Sequence, residues 1–147
     1  MEEKKTYKRH RALRIYDISR WFYLHHMKPI AQLFFRINNV VNQCSIAYEA
    51  DIHKTANLCH ARGFMVYPGT VVEEGTIIFQ QVVLGSKYPY EPAHIHIGKN
   101  CMIGVNSCIL GDVTIGDNVQ IGANVVVLKD IPSNSIVIGA KAQIIKK

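Results

Sequence analysis

Two periodicities divide the chain. Over residues 1–44, apolar positions recur at steps of three and four: Ile15, Ile18 and Phe22, then Ile30, Leu33, Phe34 and Ile37. That step keeps apolar side chains on one side of a helix. Pro29 predicts the start of a second helix, because proline fits a first turn, where its missing N–H is no loss. From residue 45 the step becomes six. Ile97, Ile103, Ile109, Ile115, Ile121 and Val127 are each six apart, and Gly98, Gly104, Gly116 and Gly122 directly follow four of them. Cys101, Ser107, Val113, Val119 and Val125 stand four positions after the aliphatic residue. Upstream, Ile46, Ile52, Leu58 and Phe64 keep the same step, and Val72, Ile78 and Leu84 resume it after a two-residue slip.

A period of six fits neither a helix nor a long alternating strand. It predicts short strands joined by tight corners, with one aliphatic side chain inward per side. Such coils cannot bury their apolar face alone and must stack, so the reading is a β-solenoid. The small residue at each corner serves where a side chain would crowd or where φ is positive. One stretch breaks the rhythm. Residues 86–94 hold two prolines and two tyrosines and read as a projecting loop, a common place for function on a rigid scaffold.

Composition sharpens this division. The chain has 147 residues, 48% of them apolar, which suits one domain with a core. Its formal charge of +6 lies wholly in residues 1–44, which hold nine basic and three acidic side chains; the remainder is balanced. A protein basic over its whole surface, as for general nucleic-acid binding, is thereby excluded. The basic helical arm either packs on its own body or a neighbouring subunit, or contacts an anionic membrane surface. The start lacks an apolar secretion segment and no run of about 18 apolar residues occurs, so the expectation is a cytoplasmic protein, membrane-associated on the cytoplasmic face if the arm binds lipid. Cys44, Cys59, Cys101 and Cys108 form no CxxC pair and read as reduced, buried thiols.

The residues 45–145 resemble the hexapeptide-repeat acyltransferases, in their serine acetyltransferase-like branch, which includes small acetyltransferases of capsule and exopolysaccharide synthesis. The segments that carry the resemblance are Leu58-Cys59-His60-Ala61-Arg62-Gly63-Phe64, Gln80-Gln81-Val82-Val83-Leu84-Gly85, and His94-Ile95-His96-Ile97-Gly98. The resemblance implies a left-handed parallel β-helix over residues 45–147, usually a homotrimer, and acetyl transfer from acetyl-CoA. It implies His60 and His94 as catalytic histidines, with His96 as the alternate second histidine.

The chain also departs from that pattern. The position fifteen residues before His60, where the family has an orienting carboxylate, is Ser45, and Asp51 begins a similar Asp-Ile-His string one six-residue step late. Cys59 stands where serine acetyltransferases have an aspartate, and Ala93 where they have an arginine. Their large helical domain is replaced by about 44 residues. These departures favour a sugar or lipid-linked sugar hydroxyl as acceptor over serine.

Histidine suits the chemistry, because its ordinary pKa lies near working pH and a hydroxyl needs a general base to attack a thioester. The thioester is already activated, so no metal is expected. Coenzyme A in the family lies along the groove between coils. The matching positions are Gly85, Gly104, Val105, Gly122, Ala123, Gly139 and Ala140, with Lys141 and Lys129 placed for its phosphates. Three other readings compete: a serine O-acetyltransferase, a zinc hydratase using His60, His94 and His96 as ligands, and a non-catalytic scaffold.

Overall fold

The computed structural model describes residues 8–88, 91 and 93–139. Two helices come first, α1 (Arg11–Leu24) and α2 (Lys28–Asn42), with Pro29 in the first turn of the second. Coiled strands follow. The first coil is β1 (Ser45–Ile46), β2 (Asp51–Ile52) and β3 (Asn57–Leu58); the second is β4 (Met65–Val66), β5 (Val71–Val72) and β6 (Ile77–Ile78). The third is β7 (Val83–Gly85), β8 (Ile95–Ile97) and β9 (Met102–Ile103); the fourth is β10 (Cys108–Leu110), β11 (Val113–Ile115) and β12 (Gln120–Ile121). A fifth comprises β13 (Val126–Val127), a bridge from Ile131 to Ile115, and β14 (Ile136–Val137).

Each strand pairs in parallel with its counterpart one coil away. Three faces result: β1-β4-β7-β10-β13, β2-β5-β8-β11, and β3-β6-β9-β12-β14. The inward aliphatic residues line a continuous core, with Ile97, Ile103, Ile109 and Ile115 fully buried. Each such side chain contributes about 1.5–3 kcal/mol on leaving water. The corner residues four positions on, among them Cys101, Ser107 and Val119, are buried as well.

Two details of the periodicity are corrected. Phe64 is buried at 1% exposure, but the inward strand residue of its coil is Val66. The slip therefore falls earlier, between Leu58 and Val66. The register shows it: Ser45 pairs with Met65, a step of 20, whereas Met65 pairs with Val83, a step of 18. Two extra residues lie at the corner that carries His60. The second correction concerns the glycines. Gly104 does not have positive φ; instead a Cβ there would meet the backbone of Gly122 at 2.6 Å and of Ala123 at 2.7 Å. Crowding between coils is the reason for glycine. The left-handed corners of the later coils are taken by Asn100, Asn106, Asn118, Asn124 and Asn134, a residue that tolerates this conformation through local hydrogen bonding; in the second coil Gly63, Gly69 and Gly75 take them.

The helices close one end of the solenoid. Ala12, Leu13 and Tyr16 join its core. The Tyr16 hydroxyl donates to the Ala50 carbonyl at 2.6 Å and accepts the Ile52 N–H at 3.3 Å. Ser19 donates to the Ala31 carbonyl and Asn38 to the Ala12 carbonyl, which joins α1 to α2. Of the fates expected for the arm, packing on its own body is the one seen.

Candidate active site

The edge where the third face turns into the first repeats in every coil. Going down the stack it carries Cys59-His60, Phe79-Gln80, Gly104-Val105, Gly122-Ala123 and Ile138-Gly139. Successive levels are held by backbone bonds from Cys59 N–H to Ile78 O, Phe79 N–H to Ile103 O, Gly104 N–H to Ile121 O and Gly122 N–H to Val137 O, all 2.8–3.0 Å. His60 thus heads a column that contains most of the positions expected to meet coenzyme A. Gly85 is not in it: it ends β7 and faces the Tyr67 ring, on the edge toward the 86–94 loop. Ala140 and Lys141 lie outside the described residues.

The extra residues make this corner stand out from the prism, so His60 is exposed while Ala61 and Phe64 anchor the bulge in the core. Gly63 completes it at φ +72°. Below, Gln80 has its Oε1 buried without a hydrogen-bond partner among the described residues. That atom requires a donor.

A pocket of about 530 Å³ opens beside His60. Its apolar wall is Leu58, Ile77, Phe79 and Met102, and its rim includes Cys59, Asn57, Lys8 and His10. The last two were not singled out in the sequence. Nothing in a helical arm marks which end folds back over the coil. Asn57 holds the segment there: its Oδ1 accepts the His10 N–H at 3.0 Å and its amide donates to the Lys8 carbonyl at 3.2 Å. His10 caps α1 by accepting the Ala12 N–H on Nδ1 at 3.1 Å. The proton of the neutral ring is therefore on Nε2. Partial burial, then the charges of Arg11, His60 and Arg14, hold His10 below its ordinary pKa.

The second candidate histidine sits on another edge. His94 precedes β8, between the first and second faces, and is exposed. Its Nδ1 lies 3.2 Å from Asp112 Oδ1, which also accepts its backbone N–H at 2.9 Å. These hydrogen bonds hold the Asp112 carboxyl below the usual carboxylate range. His96 lies on β8 itself, with Nε2 at 3.2 Å from Glu73 Oε1. His94 and His96 therefore each have a carboxylate one coil away, and His60 has none among the described residues.

Neither candidate for orienting His60 is brought to its pocket. Asp51 is on the second face and pairs with Arg20 at 3.1 Å. Ser45 is on the first face and lines a separate pocket with Tyr48, Met65 and Tyr67. The physical reason is the triangular cross-section: residues one strand apart in sequence face different directions. Among the described residues no three His, Cys, Asp or Glu side chains gather as a metal site.

A family model described as bacterial transferase hexapeptide (six repeats) matches residues 94–129. The chain is 32% identical over 143 residues to the serine acetyltransferase of Escherichia coli (strain K12), covering 92% of this chain and 50% of that protein. The solved serine acetyltransferase of Brucella abortus strain S19 in complex with coenzyme A superposes with TM-score 0.84 at 30% identity, covering 91% of this chain and 54% of that one. The Neisseria gonorrhoeae serine acetyltransferase in complex with serine gives 0.83 at 32% identity, covering 90% and 54%. The chain spans about half the length of the curated relatives it matches. Repeat, coil geometry and likeness together make it a left-handed parallel β-helix of the hexapeptide-repeat acyltransferase family, in the serine acetyltransferase-like branch.

Proposed function

We propose that the chain is an acetyl-CoA-dependent O-acetyltransferase. The observation that carries this is the position of His60 at the head of an open column of small residues, beside a pocket with an apolar wall. Acetyl-CoA supplies an acetyl group on a thioester carbonyl. His60 takes the proton of the acceptor hydroxyl as its oxygen attacks that carbonyl. The tetrahedral oxyanion then collapses, the C–S bond breaks, and the proton leaves with the coenzyme A sulfur. A base placed in this way contributes about 10²–10⁴-fold.

The named relatives favour serine as the acceptor, the second of the two acceptors expected. Cys59 and Ala93 favour the sugar reading, since the polar residues that the family uses toward serine are replaced. Supplying acetyl-CoA with L-serine or with free and nucleotide-linked sugars, and following thiol release, decides between them. Efficient turnover of serine sinks the sugar reading, and turnover of a sugar alone sinks the serine reading.

His60 and His94 occupy different edges, so one prism does not join them. In a homotrimer of prisms, an edge of one copy lies against an edge of the next. We place the working site in that groove, with His60 of one protomer and His94 of the partner subunit. Independently, α1 and α2 expose Trp21, Leu24 and Leu33 beside Lys28 and Arg36. This face suits peripheral contact with an anionic membrane; co-sedimentation with anionic but not neutral liposomes is the expected result.

A further inference from the structure

The pocket beside His60 has an uneven charge. Among the described residues that line it, Lys8 is the one permanent cation and none is acidic. The fold holds the backbone that carries that cation. Arg9 forms a bidentate pair with Asp17 at 2.6 and 2.7 Å, and donates to the carbonyls of His53, Lys54 and Ala56 in the first coil. His10 is extended, at φ −60° and ψ 145°. Arg9 is turned to the coil by its bonds to those carbonyls, while Lys8 and His10 on either side of it both line the pocket. Asn57 fixes the backbone of Lys8 and of His10. The ring Nε2–H of His10 is free to donate, because Nδ1 is occupied by the helix cap.

Resting on the acetyltransferase reading above, we propose that Lys8 and His10 select an acceptor that carries an anionic group, a carboxylate or a phosphate, beside its reacting hydroxyl. Lys8 meets the charge and His10 donates a hydrogen bond to the same group or its neighbour. The arm thereby supplies the recognition that the body lacks at Cys59 and Ala93. An ammonium on the acceptor gains nothing from these residues.

The test uses matched acceptors with the full-length chain: L-serine against L-serinamide, and glycerol 3-phosphate against glycerol. The variants are Lys8→Met and His10→Asn; asparagine keeps the helix cap and removes the ring N–H. The expected result is preference for the anionic member of each pair. Lys8→Met raises its KM about tenfold or more, as for a lost charge-assisted hydrogen bond, with the KM for acetyl-CoA unchanged. His10→Asn raises the same KM by a smaller factor of about 3–10. Equal use of neutral and anionic acceptors overturns the proposal. So does a Lys8→Met effect confined to the KM of acetyl-CoA, which would assign the cation to the coenzyme's phosphates. Thiol release with none of the four acceptors counts against these as substrates, and binding then decides. Histidine ring signals are followed by NMR during titration with inorganic phosphate and with glycerate. A saturable shift at His10 that Lys8→Met abolishes supports the proposal; no shift in the unaltered chain overturns it.

Discussion

The carboxylate of Asp112 accepts two hydrogen bonds from one residue, the backbone N–H and the ring Nδ1 of His94. This fixes the tautomer and turns Nε2 outward. Asp112→Asn keeps the shape and loses the charge. It is expected to lower acetyl transfer about tenfold, the value of one charged hydrogen bond, and to add nothing in a His94→Ala background. Steady-state rates of the single and double variants check this.

His60→Ala is expected to lose about 10²–10⁴-fold in kcat with an unchanged circular dichroism spectrum, since the side chain is exposed on a bulge. Co-expression of His60→Ala with His94→Ala chains should restore part of the activity, because some grooves then hold both histidines. No recovery on co-expression would overturn the groove proposed between copies.

Two glycines on one edge separate the effect of crowding from that of composition. A Cβ at Gly104 meets backbone within 2.7 Å, whereas at Gly139 the nearest atoms are at 3.6 Å. Gly104→Ala should destabilise the chain by about 1–3 kcal/mol, the range for overpacking. Gly139→Ala should leave the melting temperature unchanged. Thermal unfolding of both variants is the measurement.

Tyr16→Phe removes the hydroxyl that links α1 to the first coil and leaves the Ile52 N–H buried without its acceptor. A loss of about 1–3 kcal/mol is expected. Burial also pushes the Tyr16 phenol up to about 12, so the hydroxyl stays protonated through the range of a denaturant titration at neutral pH.

His10 gives stability a pH dependence of definite sign. Its pKa is lowered in the folded chain, chiefly by burial, so the unfolded chain binds more protons between that value and 6.5. Stability is therefore full above about pH 6.5 and falls as pH drops through this window. Denaturant midpoints measured across it should slope upward with pH, and His10→Asn should flatten that slope.

The solenoid was legible because its inward residues repeat without exception from Ile97 to Val127, and stacking admits few other solutions. The helices were legible from their spacing and from Pro29. What the period could not show was the content of the corners. Asn118 and Gly116 both stand at a bend, yet one is there for its dihedral angle and the other for its neighbour's backbone. Phe64 sat on the six-residue step by coincidence of an insertion. At the site, the sequence named His60, Gly104 and Gly122 without saying that one edge carries them, and carboxylate partners could not be found by counting along the chain. Asp112 and Glu73 reach their histidines across a coil, eighteen and twenty-three residues away. Lys8 and His10 carried no signal at all, since only the fold-back held by Arg9 and Asn57 makes them neighbours of His60.

The α1–α2 cap covers one end of the stack, and at the other end Ile136 and Ile138 are about three-quarters exposed. A stack whose coils touch only their neighbours opens from its weakest end. Amide exchange should accordingly form a gradient, fastest at β14 and slowest near Tyr16. His60 belongs to the slow end, so its corner keeps its shape on heating, whereas the Gly122 and Gly139 levels of the same column lie in the coils that fray first.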